Sequence, residues 1–219
     1  MFEEKDYIMK MIQQFTNAIA RIMGLKAENK IEESQEVLTD TLKGYTGLNN
    51  EVLEALPYEI LVQKVSGSRQ TNTVKSLVLA ELLNQQAEIY EIKGEMSRSR
   101  NLYLKSLNIM INAILNGDNS VLEQNEDNSN ELIEIIGRFD VPKESALLLF
   151  HYYELTKNYA KAEDVLFELI DEAEVNNDLL ARGIAFYERL INIDQTELQK
   201  GNLPIDEVLE GLANLKELL

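Results

Sequence analysis

His151 is the single histidine among 219 residues, so any imidazole-based chemistry has to pass through it. A serine or cysteine nucleophile needs a base beside it. The chain has no cysteine, and no GxSxG elbow presents a serine. A zinc HExxH helix needs two histidines and is excluded. His151 lies between Phe150 and Tyr152 in an apolar helical stretch, which reads as a packing histidine. Carboxylates are abundant, 38 in all, but no spacing singles out a pair with divided acid and base roles. Residues 116–131, NGDNSVLEQNEDNSNE, offer Asp118, Glu126, Asp127 and Glu131 as hard oxygen donors. The calcium-loop order of alternating donors, a central glycine and a late glutamate is missing, and the stretch reads as a solvated loop. The GYTG at Gly44–Gly47 lacks the lysine and hydroxyl of a phosphate loop. The residues therefore point to no enzyme, no cofactor and no metal.

The elements around these residues are more informative. In LAELLNQQAEIYEIKGEMSRSRNLYLKSLNIMINAIL, Leu79, Leu82, Leu83, Gln86, Ala87 and Tyr90 fall on one stripe of a 3.6-residue helix. Gly94 can end that helix in a left-handed conformation. Met96, Ser99, Leu102, Tyr103, Ser106, Leu107 and Met110 then make a second stripe. Small residues at Ala87, Ser99 and Ser106 allow close approach, and Tyr90, Tyr103 and Leu107 fill the space beside them. This alternation resembles the tetratricopeptide repeat. In YYELTKNYAKAEDVLFELI the residues Tyr153, Tyr159, Ala162, Leu166 and Leu169 repeat the spacing, with Lys157 where the glycine would be. Ile31, Ser34, Leu38 and Thr41 make a weaker copy. Tyr187 follows Tyr153 by 34 positions, the repeat's own period.

The chain begins with an amphipathic helix, Phe2 to Met23. Ile8, Met11, Ile12, Phe15, Ile19 and Ile22 form its stripe, widened by Tyr7, Ala18 and Met23, and a stripe of this kind is expected in a core. Helices follow at Ile31–Tyr45, Glu51–Leu56 and Pro57–Val65. Ser66–Thr73, SGSRQTNT, is the only internal boundary the composition suggests. Beyond the main hairpin come short helix Glu131–Phe139, hairpin Lys143–Thr156 with Ala160–Glu174, a turn at Asn176–Asp178, helix Leu179–Ile193, a connection Gln195–Leu203, and a last helix from Pro204. The expected fold is all-α: one domain over 1–219, with N-terminal helices at 1–65 and a tetratricopeptide-like body at 74–219. The body is expected as a right-handed stack of antiparallel helical hairpins, an α-solenoid.

The opening EEKDYIMKMIQQFTNAIARIMGL is similar to the start of a family of bacterial helical proteins with no assigned function, which begins with an EDYIMRMI-like motif. The closing GNLPIDEVLEGLANL also resembles that family's end. The resemblance implies the fold and a bacterial cytosolic setting, and it implies no activity.

A net charge of −17 opposes binding to nucleic acid phosphates or to an anionic membrane surface. With no cysteine, no basic–apolar leader and no run of about 18 apolar residues, the chain reads as cytoplasmic. In tetratricopeptide stacks the first helix of each pair lines a concave groove. The resemblance places Glu81, Asn84, Gln85, Glu88 and Glu91 there in the first hairpin, and Leu148, His151 and Glu154 in the second. Of the family's Lys, Arg and Asn clamp for C-terminal carboxylates only Asn84 is present, so a basic peptide or another protein is the expected partner. A homodimer is compatible with the sequence. Two functions stand: a protein–protein or peptide interaction scaffold, or a ligand- or peptide-sensing regulator. The latter is weakened by the lack of a basic recognition helix.

Overall fold

A computed structural model describes residues 2–66, 69–171 and 177–218, and every regular element among them is a helix. The backbone gathers into two compact units, Met1–Asp140 and Val141–Leu219. The first contains α1 (Phe2–Ala27), α2 (Ile31–Thr46), α3 (Asn50–Ala55), α4 (Tyr58–Val65), α5 (Arg69–Ile92), α6 (Met96–Leu115) and α7 (Asn119–Ile136). The second contains α8 (Lys143–Leu155), α9 (Tyr159–Asp171), α10 (Asn177–Leu190), α11 (Gln195–Lys200) and α12 (Ile205–Glu217). The boundary expected at 66–73 falls inside the first unit. The side chains of Tyr7 and Ile8, expected in the α1 stripe, and Asn176, expected in a turn, lie outside the described ones.

In the first unit α6 is the central rod. It packs along α5 on one side and α7 on another, with α3 and α4 over a third. Apolar residues accordingly surround it: Leu102, Tyr103, Leu107, Ile109, Met110, Ile111 and Ile114 are all buried. The paired stripes of α5 and α6 meet as the sequence spacing requires. Ser106 lies close enough to the facing helix for its hydroxyl to donate to the Ala80 carbonyl at 2.7 Å. The opposite side of α5 receives α1 and α2.

Four helix ends share one turn. After each, a residue takes a left-handed φ: Asn29 at 59°, Gly94 at 78°, Lys157 at 61° and Asn202 at 57°. In each case the next N–H reaches back five residues: Lys30 to Leu25, Glu95 to Tyr90, Asn158 to Tyr153 and Leu203 to Leu198, all within 2.8–3.1 Å. This is the hydrogen-bond pattern that closes a helix and reverses the chain. Asparagine tolerates that conformation better than most residues, whereas lysine does so against its Cβ, at about 1 kcal/mol. The turn at Lys157, where the glycine of the spacing pattern is absent, therefore keeps its geometry at some cost.

Residues 69–73, read as part of a boundary, open α5 instead, and two further stretches differ from the sequence expectation. Residues 119–136 are one helix, where a loop to 131 was expected. Asp118 caps it, its Oδ1 accepting from Ser120 N at 3.0 Å. Its inner side carries Asn125 and Ser129, whose polar groups bond back to Val121 O at 2.7 Å and Asn125 O at 2.8 Å. Buried polar groups satisfied within their own helix make no apolar stripe to read. Likewise Gln195–Lys200 is helical rather than a plain connection, capped by Asp194 and anchored by the buried Leu198.

Tyrosines hold the helices together. Tyr90, Tyr103, Tyr159 and Tyr187 are all buried, and each passes its hydroxyl to a glutamate of another helix or, for Tyr103, across the hairpin. The pairs are Tyr90–Glu54 at 2.8 Å, Tyr103–Glu91 at 2.8 Å, Tyr159–Glu197 at 3.1 Å and Tyr187–Glu163 at 2.5 Å. The Tyr187 ring passes over Gly211 of α12, where an added Cβ would lie 2.3 Å from the ring Cζ. Gly211→Ala is therefore expected to force α10 and α12 apart and to lower stability by about 1–3 kcal/mol, read as a shift in a urea unfolding midpoint. Lys157→Gly should act oppositely and raise stability by roughly 0.5–1 kcal/mol relative to Lys157→Ala, which equally lacks the exposed Lys157–Glu197 ion pair; a glycine variant no more stable than the alanine variant would refute the strain at that turn.

Candidate functional site

The residues expected to face a groove on α5 do share a side of the helix, and the chain itself covers part of that side, all but Gln85 staying half-buried. Gln85 is buried, 4% exposed, instead of lining an open surface. Lys26, at the end of α1, donates to Gln85 Oε1 at 2.5 Å and to a Glu88 carboxylate oxygen. The Gln85 amide donates onward to Glu81 Oε1 at 2.9 Å and Glu88 Oε1 at 3.2 Å. The lysine thus occupies the position that a cationic residue of a basic peptide was expected to take. Glu91 accepts from Tyr103, with Arg138 at 3.8 Å on its other side. Asn84 is half-buried, and its Oδ1 has no hydrogen-bond donor among the described residues.

Burial raises the Glu81 carboxyl above its ordinary range; the charges of Glu88 and Glu131 add to this, against the Gln85 hydrogen bond and the charge of Lys26. Glu54 shows the opposite balance. Burial pushes it up, but hydrogen bonds from Arg98 and Tyr90 and the charges of Arg98 and Lys105 outweigh that and hold it below the ordinary range. Arg98 grips Glu54 through two nitrogens, at 2.9 and 2.6 Å, while lying 3.9 Å over the Tyr90 ring. This group joins α3 to the hairpin. Every acid in it already has its cation, which suits a structural clamp better than proton transfer.

In the second unit Leu148, His151 and Glu154 are half-buried along α8. Glu154 accepts two bonds from Arg189 of α10, at 2.7 and 2.9 Å, the bidentate geometry of a fixed pair. His151 stacks at a tilt on Phe150, ring centroids 5.0 Å apart. Burial lowers its pKa, helped by the charges of Arg182 and Arg189 and opposed by Glu154. A neutral imidazole results at pH 7. The groove residues therefore divide between the two units, five in the first and three in the second. Glu88 and Glu154 each hold a cation from a neighbouring helix.

Openings of the first unit lie elsewhere. A cleft of about 660 Å³ is floored by Met11, Phe15 and Tyr45, with Lys10, Lys64 and Lys75 around it. Along α1 itself Met11 and Ile22 are buried, as the stripe predicts, and Phe15, Ala18 and Ile19 are half-buried. Ile12 and Met23, expected inside, are exposed by 42% and 53%, together with Met9 at 61%. The helix carries two apolar rows, and only one is used in the core. The sequence held the signal for this: an apolar arc wider than one packing contact needs. Among the described residues no group of three or more acidic or histidine side chains is placed to hold a metal. No described helix is long and apolar enough to cross a membrane.

The raised Glu81 carboxyl makes a pH-dependent prediction. A carboxyl with a raised folded pKa favours the fold while protonated. That contribution is full below the unfolded carboxylate range and is lost as pH rises through the folded value. Glu81→Gln should therefore raise the thermal midpoint at pH 7, with the advantage shrinking toward pH 4; an unchanged or lower midpoint at pH 7 would contradict the buried-charge reading.

No curated protein and no solved structure matches the chain. A family model does match, over residues 1–219: the chain belongs to DUF6483, a family of unknown function.

Proposed function

We propose that this chain is a non-catalytic helical scaffold that binds another protein, and that it does so through the exposed row of α1. The observation that carries this reading is a contrast. Glu88 and Glu154, two of the acidic residues expected to recruit a partner, are matched by cations of the chain, whereas Met9, Ile12 and Met23 project into solvent along one helix. Apolar side chains in a row along a helix are the usual anchor of helix-to-helix recognition. The α5–α6 and α8–α9 hairpins, with their shared turn and spaced small and aromatic residues, support a tetratricopeptide-like design within each unit. A continuous right-handed stack is not needed for the reading. A cytoplasmic, bacterial setting belongs to the same proposal, on the cysteine-free sequence and the resemblance of its opening.

The second reading, a ligand-responsive regulator, draws on the cleft beside α1. Its apolar floor and a rim with more lysines than acids, Asp40 being the acid there, favour a small anionic amphiphile over a basic peptide. Affinity capture with tagged protein separates the two. A protein partner lost with Met23→Arg and retained with the Glu88→Gln, Glu154→Gln double variant is the expected outcome. Capture that depends on the two glutamates and ignores Met23 would return the interface to the acidic faces. Specific copurification of an anionic small molecule, with no protein, would favour the regulator.

A further inference from the structure

We infer that the occupant of the α1 row is a second copy of this chain, paired antiparallel about a two-fold axis at Thr16. The inference rests on the reading of α1 as the docking surface and names its partner. The row is Met9, Ile12, Thr16, Ile19 and Met23, spaced by alternating steps of three and four residues. Such spacing keeps all five within about 80° of the helix circumference and is the spacing at which one helix seats against another. Four are exposed and Ile19 is half-buried.

The order of residue types is the same in both directions: methionine, isoleucine, threonine, isoleucine, methionine. A two-fold interface must be complementary to itself. With two helices antiparallel and Thr16 on the axis, Met9 of one faces Met23 of the other, and Ile12 faces Ile19. Large meets large of the same kind at every level, and the two threonines meet at the centre. Beside the row lie Ala20, Gly24 and Ala27, all exposed, with nothing within 4 Å of the space a Cβ on Gly24 would fill. Small residues there let a second backbone come close.

Charge favours the same pairing. The chain carries −17, so most of its surface repels a second copy. From Met9 to Ala27 there is no acidic residue, while Lys10, Arg21 and Lys26 are basic. The antiparallel overlap also opposes the two helix dipoles. The row is about 21 Å long and covers roughly 300–400 Å² per copy, well under the ~800 Å² per partner of a standard interface. The dimer is therefore weak and concentration-dependent.

Sedimentation equilibrium of the full chain tests this. Wild type is expected to pass from monomer to dimer between about 1 and 200 μM, and Thr16→Arg, which sets two cations on the axis, should weaken association by about tenfold or more. Met9→Glu alone and Met23→Lys alone should each weaken it, and the two together in one chain should restore it, because the introduced carboxylate then faces the introduced ammonium of the other copy. Circular dichroism and a melting curve for each variant exclude unfolding as the cause. A parallel pair would instead be weakened further by the double change, and that result overturns the arrangement. A wild-type monomer at every concentration overturns the second copy as occupant; if a different protein is still captured and lost with Met23→Arg, the docking reading survives alone. A dimer indifferent to all four variants places the interface off α1. Binding to anionic phospholipid vesicles by a chain that stays monomeric would assign the row to a bilayer and sink the inference.

Discussion

A buried tyrosine hydroxyl is costly to leave unpartnered, and at Tyr90, Tyr103, Tyr159 and Tyr187 this chain meets that demand with carboxylates from outside the tyrosine's own helix. An aromatic ring supplies a large apolar contact, while its hydroxyl, if stripped of water and left alone, costs about 1–3 kcal/mol. Handing the proton to Glu54, Glu91, Glu163 or Glu197 removes that cost and fixes a distance between two segments. The carboxylate in turn is kept from isolation by the hydroxyl and often by a cation. Burial and the adjoining Glu197 raise the Tyr159 phenol to about 12, so the donor stays protonated throughout the range in which the protein folds. The contact is a latch made of one proton donor and one acceptor, and it recurs in both units.

The same device accounts for the glutamates at the helical contacts, not for the exposed majority of a strongly acidic chain. Glutamates that stand at helical contacts are drawn toward Lys26, Arg98, Lys157 and Arg189 as well as toward tyrosines. Exposed ion pairs of this sort contribute little each. Their effect on function is larger than their effect on stability, because a carboxylate already facing a fixed cation has little attraction left for an incoming one. The structural use of these residues thus argues against their use in recognition.

Much of the fold was legible because it rests on helical periodicity and local turn chemistry. The stripes through Tyr90 and Tyr103 pack as their spacing requires, and the Tyr153 hairpin repeats the turn even with Lys157 in place of glycine. Where helices were missed, at 119–130 and 195–200, the inward side was polar and bonded to itself, or the helix was too short to show a period. The candidate site was legible in part. Spacing placed Glu81, Gln85 and Glu88 on one side of α5, but a periodic pattern within one helix carries no information about what packs on it. Lys26 is 59 residues from Gln85 in sequence, and nothing local announces that contact. Residue type alone had suggested solvent for glutamine and glutamate, which the burial of Gln85 reverses.

The unused row on α1 is the complement of that contact. To bring Lys26 onto Gln85 and Glu88 while seating Met11, Phe15 and Ile22, the helix has one possible rotation about its axis. Phe15 meets Tyr45 edge-on at 4.5 Å, and Tyr45 is itself bound to the Lys75 carbonyl at 2.8 Å, so the rotation is fixed at a second point. With the inner row committed to those partners, Met9, Ile12 and Met23 must lie beyond the edge of the contact. Turning the helix to bury them would withdraw Lys26 and expose the Glu88 and Gln85 cluster. The interior polar contact therefore dictates the exterior apolar one, and the surface left open for association follows from how the acidic side of α5 is closed.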